Sequence, residues 1–64
     1  MSNDQAKLLL QQLRDGELES VRIEKNDFLI FRQVLAEQED MKSFRGNAQR
    51  GGGVIYTYEP GWTK

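Results

Sequence analysis

Acid–base and nucleophilic chemistry at neutral pH draws mostly on histidine, on cysteine, or on a placed pair of carboxylates. This chain of 64 residues contains neither His nor Cys. Ser–His and Cys–His pairs, thiolate metal sites and disulfides are therefore excluded. Glu37, Glu39 and Asp40 form a carboxylate cluster. A pair such as Glu37 and Asp40 does acid–base work only inside a cleft, and so short a chain seldom folds around one. The cluster is expected to be solvated charge at a helix end. It lacks the spacing and turn glycine of an EF-hand loop, and the GxGxxG, P-loop and HExxH patterns are absent. The expectation is a protein with no enzymatic activity, no cofactor, no metal and no small-molecule substrate.

A second candidate lies in KSFRGNAQRGGGVIYTYEPGW, residues 42 to 62. Lys42, Arg45 and Arg50 stand beside the run Gly51, Gly52 and Gly53, with Tyr56, Tyr58 and Trp62 close behind. Cations and successive backbone N–H groups hold anions, and cations with aromatic rings bind single-stranded nucleic acid. Charge is distributed to suit: residues 1 to 40 carry five cations against nine acids, a balance of −4, and residues 41 to 64 carry four against one, a balance of +3. A basic third on an acidic body favours an anionic partner there. Four cations are nonetheless few for a dedicated nucleic-acid domain, and a glycine run serves equally well as a hairpin tip.

The elements that must carry these residues are legible in part. Ser2 to Gln5 has the spacing of a capping box. Ala6, Leu9, Leu10 and Leu13 then recur at helical spacing, and Asp15-Gly16 supplies an end. A helix over residues 3 to 14 is expected. Val21 and Ile23 alternate with Arg22 and Glu24, as in a half-buried strand. A continuous helix from Glu17 to Gln38 competes with that strand. The turn formers Asn26 and Asp27 favour a short strand followed by a new helix over 26 to 39, capped by one of them. Its acidic C-terminal end conflicts with the helix dipole. Either the helix ends early or the acids meet cations of the basic tail.

Two strand-like runs, Lys42 to Ala48 and Val54 to Glu59, flank the glycines, and their register decides the chemistry. A loop over Gln49 to Gly53 pairs Gly46 with Tyr56 and Phe44 with Tyr58. Phe44, Gly46, Ala48, Val54, Tyr56 and Tyr58 then share the core face. Ser43, Arg45, Asn47, Ile55, Thr57 and Glu59 share the other. A loop one residue shorter sets Arg45 opposite Tyr56 and turns both tyrosines into a binding platform. The first register separates apolar from polar side chains better and is the expected one. Pro60-Gly61 ends the sheet, and Trp62 is expected to fold back onto the core.

The sequence thus points to one α+β domain over residues 1 to 64: helix, short strand, helix and β-hairpin, with a small three-stranded antiparallel sheet covered by two helices. The alternative is a helical pair with a hairpin wing, whose reading helix, 26 to 39, would be unsuitably acidic for a DNA groove. No run approaches the roughly 20 apolar residues of a membrane span, the start of the chain has no leader-like pattern, and no cysteine is used; a cytoplasmic protein without membrane partners is expected. The expected function is docking on another protein, with nucleic-acid binding through Lys42, Arg45, Arg50 and the glycines as the alternative. Six large apolar residues between Phe28 and Leu35 exceed what one packed helix face needs. A homodimer through Leu29, Ile30 and Val34 is expected to bury the excess.

Overall fold

The computed structural model describes residues 1 to 62. Lys64, which entered the charge balance above, lies outside them. The chain forms helix α1 (Asn3–Arg14), strand β1 (Val21–Ile23), helix α2 (Phe28–Ala36) and a hairpin of β2 (Phe44–Ala48) and β3 (Val54–Tyr58). The sheet is antiparallel throughout, in the order β1-β3-β2. This is the expected α+β architecture, with both helices on one side of the sheet.

Local signals explain most of the boundaries. The Ser2 hydroxyl accepts from the Gln5 amide at 3.1 Å and starts α1. Ala6, Leu10 and Leu13 bury one stripe of it. The short strand, not the continuous helix, occupies residues 21 to 23. The second helix is shorter than the span 26 to 39. One turn of 3-10 helix (Lys25–Asp27) leads into it, and it stops at Ala36. Asp27 stands at the N-cap position but bonds no helix amide with its side chain. Its carboxylate instead meets the Met1 α-amino group at 3.1 Å. A further 3-10 turn, Met41–Ser43, replaces the first residues expected in β2.

The two helices run side by side in the same direction. Met1 meets Asp27 where both helices begin, and Arg14 meets Asp40 beyond where both end. Ala6, Leu10 and Leu13 of α1 and Phe31, Val34 and Leu35 of α2 form one core with Ile23, Phe44 and Tyr56 of the sheet. Val34 is only 2% exposed. That corrects its assignment to a dimer surface: α1 already covers it. Leu29 does face outward, 70% exposed, and Ile30 is half-buried. No helix among the described residues is long and apolar enough to cross a membrane.

Gly46 stands opposite Tyr56 and Phe44 opposite Tyr58, the register that separates the faces better. A β-carbon on Gly46 would lie 2.9 Å from Tyr56 Cε1, so the ring lies over the glycine backbone and leaves no room for a side chain. Tyr56 also packs on Phe31, with ring centroids 4.8 Å apart, and burial pushes its phenol pKa up. Tyr58 meets Phe44 edge-on at 4.9 Å. Both tyrosines thus belong to the covered face.

Phe44→Ala should destabilise the fold by about 3–5 kcal/mol, because it empties a buried ring site. Arg50→Ala, in the exposed loop, should stay within about 0.5 kcal/mol. Thermal or urea unfolding of the two variants measures the difference; equal stabilities would refute this core.

Candidate functional site

The hairpin cations lie on the uncovered side of the sheet and at its tip. Arg45 and Asn47 of β2, Ile55 and Thr57 of β3 and Arg22 of β1 share the face that no helix covers. Arg22 and Asn47 flank Ile55 in one row, and Arg45 sits beside Thr57 in the next. Arg22 and Arg45 are two strands and two residues apart, roughly 12 Å by sheet geometry. Half-buried Ile55 lies between them. Each arginine has an acidic neighbour: Arg22 Nε donates to Glu24 Oε1 at 2.9 Å, and Arg45 Nη1 lies 3.7 Å from Glu59 Oε1.

Trp62 corrects an expectation. It is 47% exposed and does not cap the core. The Arg45 guanidinium lies over its ring, 5.6 Å from the centroid, a cation–π contact that holds the indole near the open face. Pro60 and Gly61 form a turn after β3, the Trp62 amide donating to the Glu59 carbonyl at 3.2 Å. The turn therefore delivers the ring toward the outward-facing Arg45, on the side away from the helices.

The loop from Gln49 to Gly53 is closed by the Gln49 amide donating to the Gly53 carbonyl at 2.7 Å. Gly51 and Gly52 both have positive φ, 90° and 99°, which explains glycine there. Arg50 is exposed at this tip, and Lys42 lies in the turn before β2. Three residues of strand, roughly 10 Å, separate Arg45 from the loop. The six residues singled out in the sequence therefore form a stripe, not one anion pocket. Two cations invisible to the hairpin reading join it. The Lys25 stem lies against Gly52, where a β-carbon would be 3.3 Å from Cδ, and the Arg22 guanidinium lies against Gly53, where a β-carbon would be 3.0 Å from its Nε. Their signal was the alternation in VRIEK, which puts Arg22 on the open face; pairing of β1 with β3 was not legible locally. On this side Arg22 pairs with Glu24 and Arg45 lies near Glu59.

The carboxylate cluster is a structural node. Asp40 takes two hydrogen bonds from Arg14, from Nε at 2.7 Å and from Nη2 at 2.7 Å. The Tyr58 hydroxyl donates to it at 3.2 Å. Arg14 also donates to Gln38 and Gln11 and lies over the Phe44 ring. At this end Asp40 therefore meets a cation of α1, Arg14, and α2 stops at Ala36, before its dipole opposes the acids. Hydrogen bonding to Arg14 holds the Asp40 carboxyl below its ordinary value, against the opposing effect of burial, and raises Arg14 in turn. That direction is opposite to what a general acid near neutrality needs. Arg14, Glu37, Gln38, Glu39 and Asp40 line an open depression of about 450 Å³. Among the described residues no group of three or more acids is placed to hold a metal ion.

Residues 3–57, nearly all of both helices and the sheet, match the family described as YkzS-like protein. The chain belongs to the YkzS-like protein family. The match takes in Arg22, Lys25, Arg45 and the glycine loop, and stops short of Tyr58 and Trp62. No curated protein and no solved structure matches the chain.

Because the folded pKa of Asp40 is depressed, its contribution to stability is complete above the ordinary value of 3.8. It is lost as pH falls from there through the folded value. Asp40→Asn should cost about 1 kcal/mol near neutral pH. Its deficit should shrink as pH falls through the folded value, where wild-type Asp40 itself becomes protonated. Urea titrations at a series of pH values check this; a deficit independent of pH would show that the pair is not the cause.

Proposed function

We propose that this chain is a small non-enzymatic protein that acts in the cytoplasm by docking on another protein through the uncovered face of its sheet. One observation carries the reading. A three-stranded sheet packed on one side presents Ile55 between two arginines on the other, with an exposed tryptophan held beside them. Aromatic and arginine side chains around an apolar centre are the composition of binding hot spots. The lack of His and Cys and the engagement of Asp40 by Arg14 support a role other than catalysis. A second copy bound through Leu29 is the rival use of apolar surface, but with Val34 buried and Ile30 half-buried that surface is narrower than the sequence suggested.

Nucleic-acid binding is the second reading, favoured by the convergence of Lys25 and Arg22 on the hairpin glycines. The acidic partners of Arg22 and Arg45 weaken it, as does the inward orientation of both tyrosines.

A photo-crosslinking amino acid placed at position 55 or at exposed helix position 33 separates these readings in cells. Docking through the sheet should give a discrete protein adduct at 55 and none at 33. Adducts to nucleic acid at 55 would favour the second reading. A self-adduct at 33 alone would favour the helix-mediated dimer.

A further inference from the structure

The open face is bordered by a strand edge, β2, that pairs with no second strand among the described residues. The Gln49 amide bonds the Gly53 carbonyl, and the Glu59 amide bonds the Ser43 carbonyl. In an antiparallel ladder, alternate residues turn their backbone groups toward the same neighbour. Ser43, Arg45, Asn47 and Gln49 therefore face β3. The N–H and C=O groups of Phe44, Gly46 and Ala48 point away from the sheet. Natural edges are usually blunted by proline, a bulge, inward charge or a covering element. β2 has no proline, pairs without a bulge along all five residues, and is exposed at four of them. The opposite edge, β1, is only three residues long.

We propose that β2 accepts an extended acidic segment of a partner protein as a fourth strand of the sheet. The proposal rests on the docking reading above and names the partner's chemistry. Two features of the edge select it. From Met41 to Tyr58 the chain carries Lys42, Arg45 and Arg50 and no acid. Arg45 is the one charge on β2, and it occupies a position whose own backbone bonds face β3. Toward an added strand this is a non-hydrogen-bonded site, where cross-strand side chains approach most closely. An acidic residue opposite Arg45 is favoured, and a basic one is disfavoured. A second copy of this chain would set two such basic edges against each other, so charge argues against it as the occupant.

The other face of the added strand meets different chemistry. Gly46 and Ala48 leave no bulk at the edge, and the Tyr56 ring lies over Gly46. A partner side chain opposite Gly46 lands beside that ring and is apolar. Because strand faces alternate, the preferred segment alternates acidic and apolar residues. Main-chain hydrogen bonds to Gly46 and Ala48 hold it, and Arg45 selects it, as in other strand-addition complexes.

The test uses the isotope-labelled full chain at low salt with two synthetic peptides, one of four Glu-Val repeats and one of four Lys-Val repeats. The Glu-Val peptide should slow hydrogen exchange at the Phe44, Gly46 and Ala48 amides at least tenfold, and the Lys-Val peptide should not. Arg45→Glu should invert that preference. Ala48→Pro removes one outward donor without touching the ladder to β3 and should weaken binding about tenfold. Amide spectra of each variant alone establish that it folds, and wild type is judged independently of both. Shifts confined to Arg22, Ile55 and Thr57, without edge protection, would overturn the strand proposal and leave face docking standing. Binding of neither peptide would also overturn it, with the adduct at position 55 judging the docking reading separately. Binding of an oligothymidylate in place of both peptides would sink the two together. Edge protection in the free protein, with a species of twice 7.4 kDa in sedimentation, would give the edge to a second copy and refute the proposal.

Discussion

The Tyr56 ring over Gly46 is the contact on which the organisation of this molecule depends. With one residue of slip, every side chain of the hairpin would change faces. A side chain at position 46 would collide with the ring, and a ring elsewhere would leave Phe31 without its aromatic neighbour. The contact therefore joins register to core packing. It commits Phe44, Tyr56 and Tyr58 to the helices and releases Arg45, Asn47 and Ile55 to the opposite side. The same alignment sets Val21 against Tyr56 and Ile23 against Val54, so the first strand inherits its orientation from the hairpin.

A polar node at the far end of the helices complements that contact. Arg14 and Asp40 join the ends of α1 and α2, while Phe44 and Tyr58 bring the hairpin to the same point. A core of this size leaves little margin in a 64-residue chain, and a two-toothed arginine–carboxylate bond fixes geometry as well as energy. It also engages Asp40 through Arg14 rather than through Arg22 or Arg45.

The proposed binding modes follow from this division of labour. One side of the sheet is used to hold the molecule together and the other is left free, bordered by an unblunted edge. Charge separates along the chain: residues 41 to 64 carry four cations against one acid, and residues 1 to 40 carry five against nine. Under the proposed strand addition, such an arrangement would steer an acidic segment toward the hairpin before contact. Arg45 belongs to both surfaces, since it stacks with Trp62 over the open face and sits on the edge strand.

Much of the fold was determined by the sequence alone. The Ser2 cap with its leucine stripe, the alternation around Val21 and Ile23, the glycine loop and the better-segregated register are local signals, and each carries its own physical reason. The candidate residues Lys42, Arg45, Arg50 and the three glycines were legible for the same cause, because they are close in sequence. Tertiary structure alone decided the rest. Pairing of β1 with β3 brought Arg22 and Lys25 against the glycines across more than 20 positions, which no periodicity encodes. Packing of α1 along α2 buried Val34, taking it out of the expected dimer surface, and gave Asp40 to Arg14, with α2 ending three residues early. Trp62 went outward because a cation on the open face was within its reach and the covered face was already filled. Sequence patterns state which side chains prefer burial; only the assembled elements decide which of them find it.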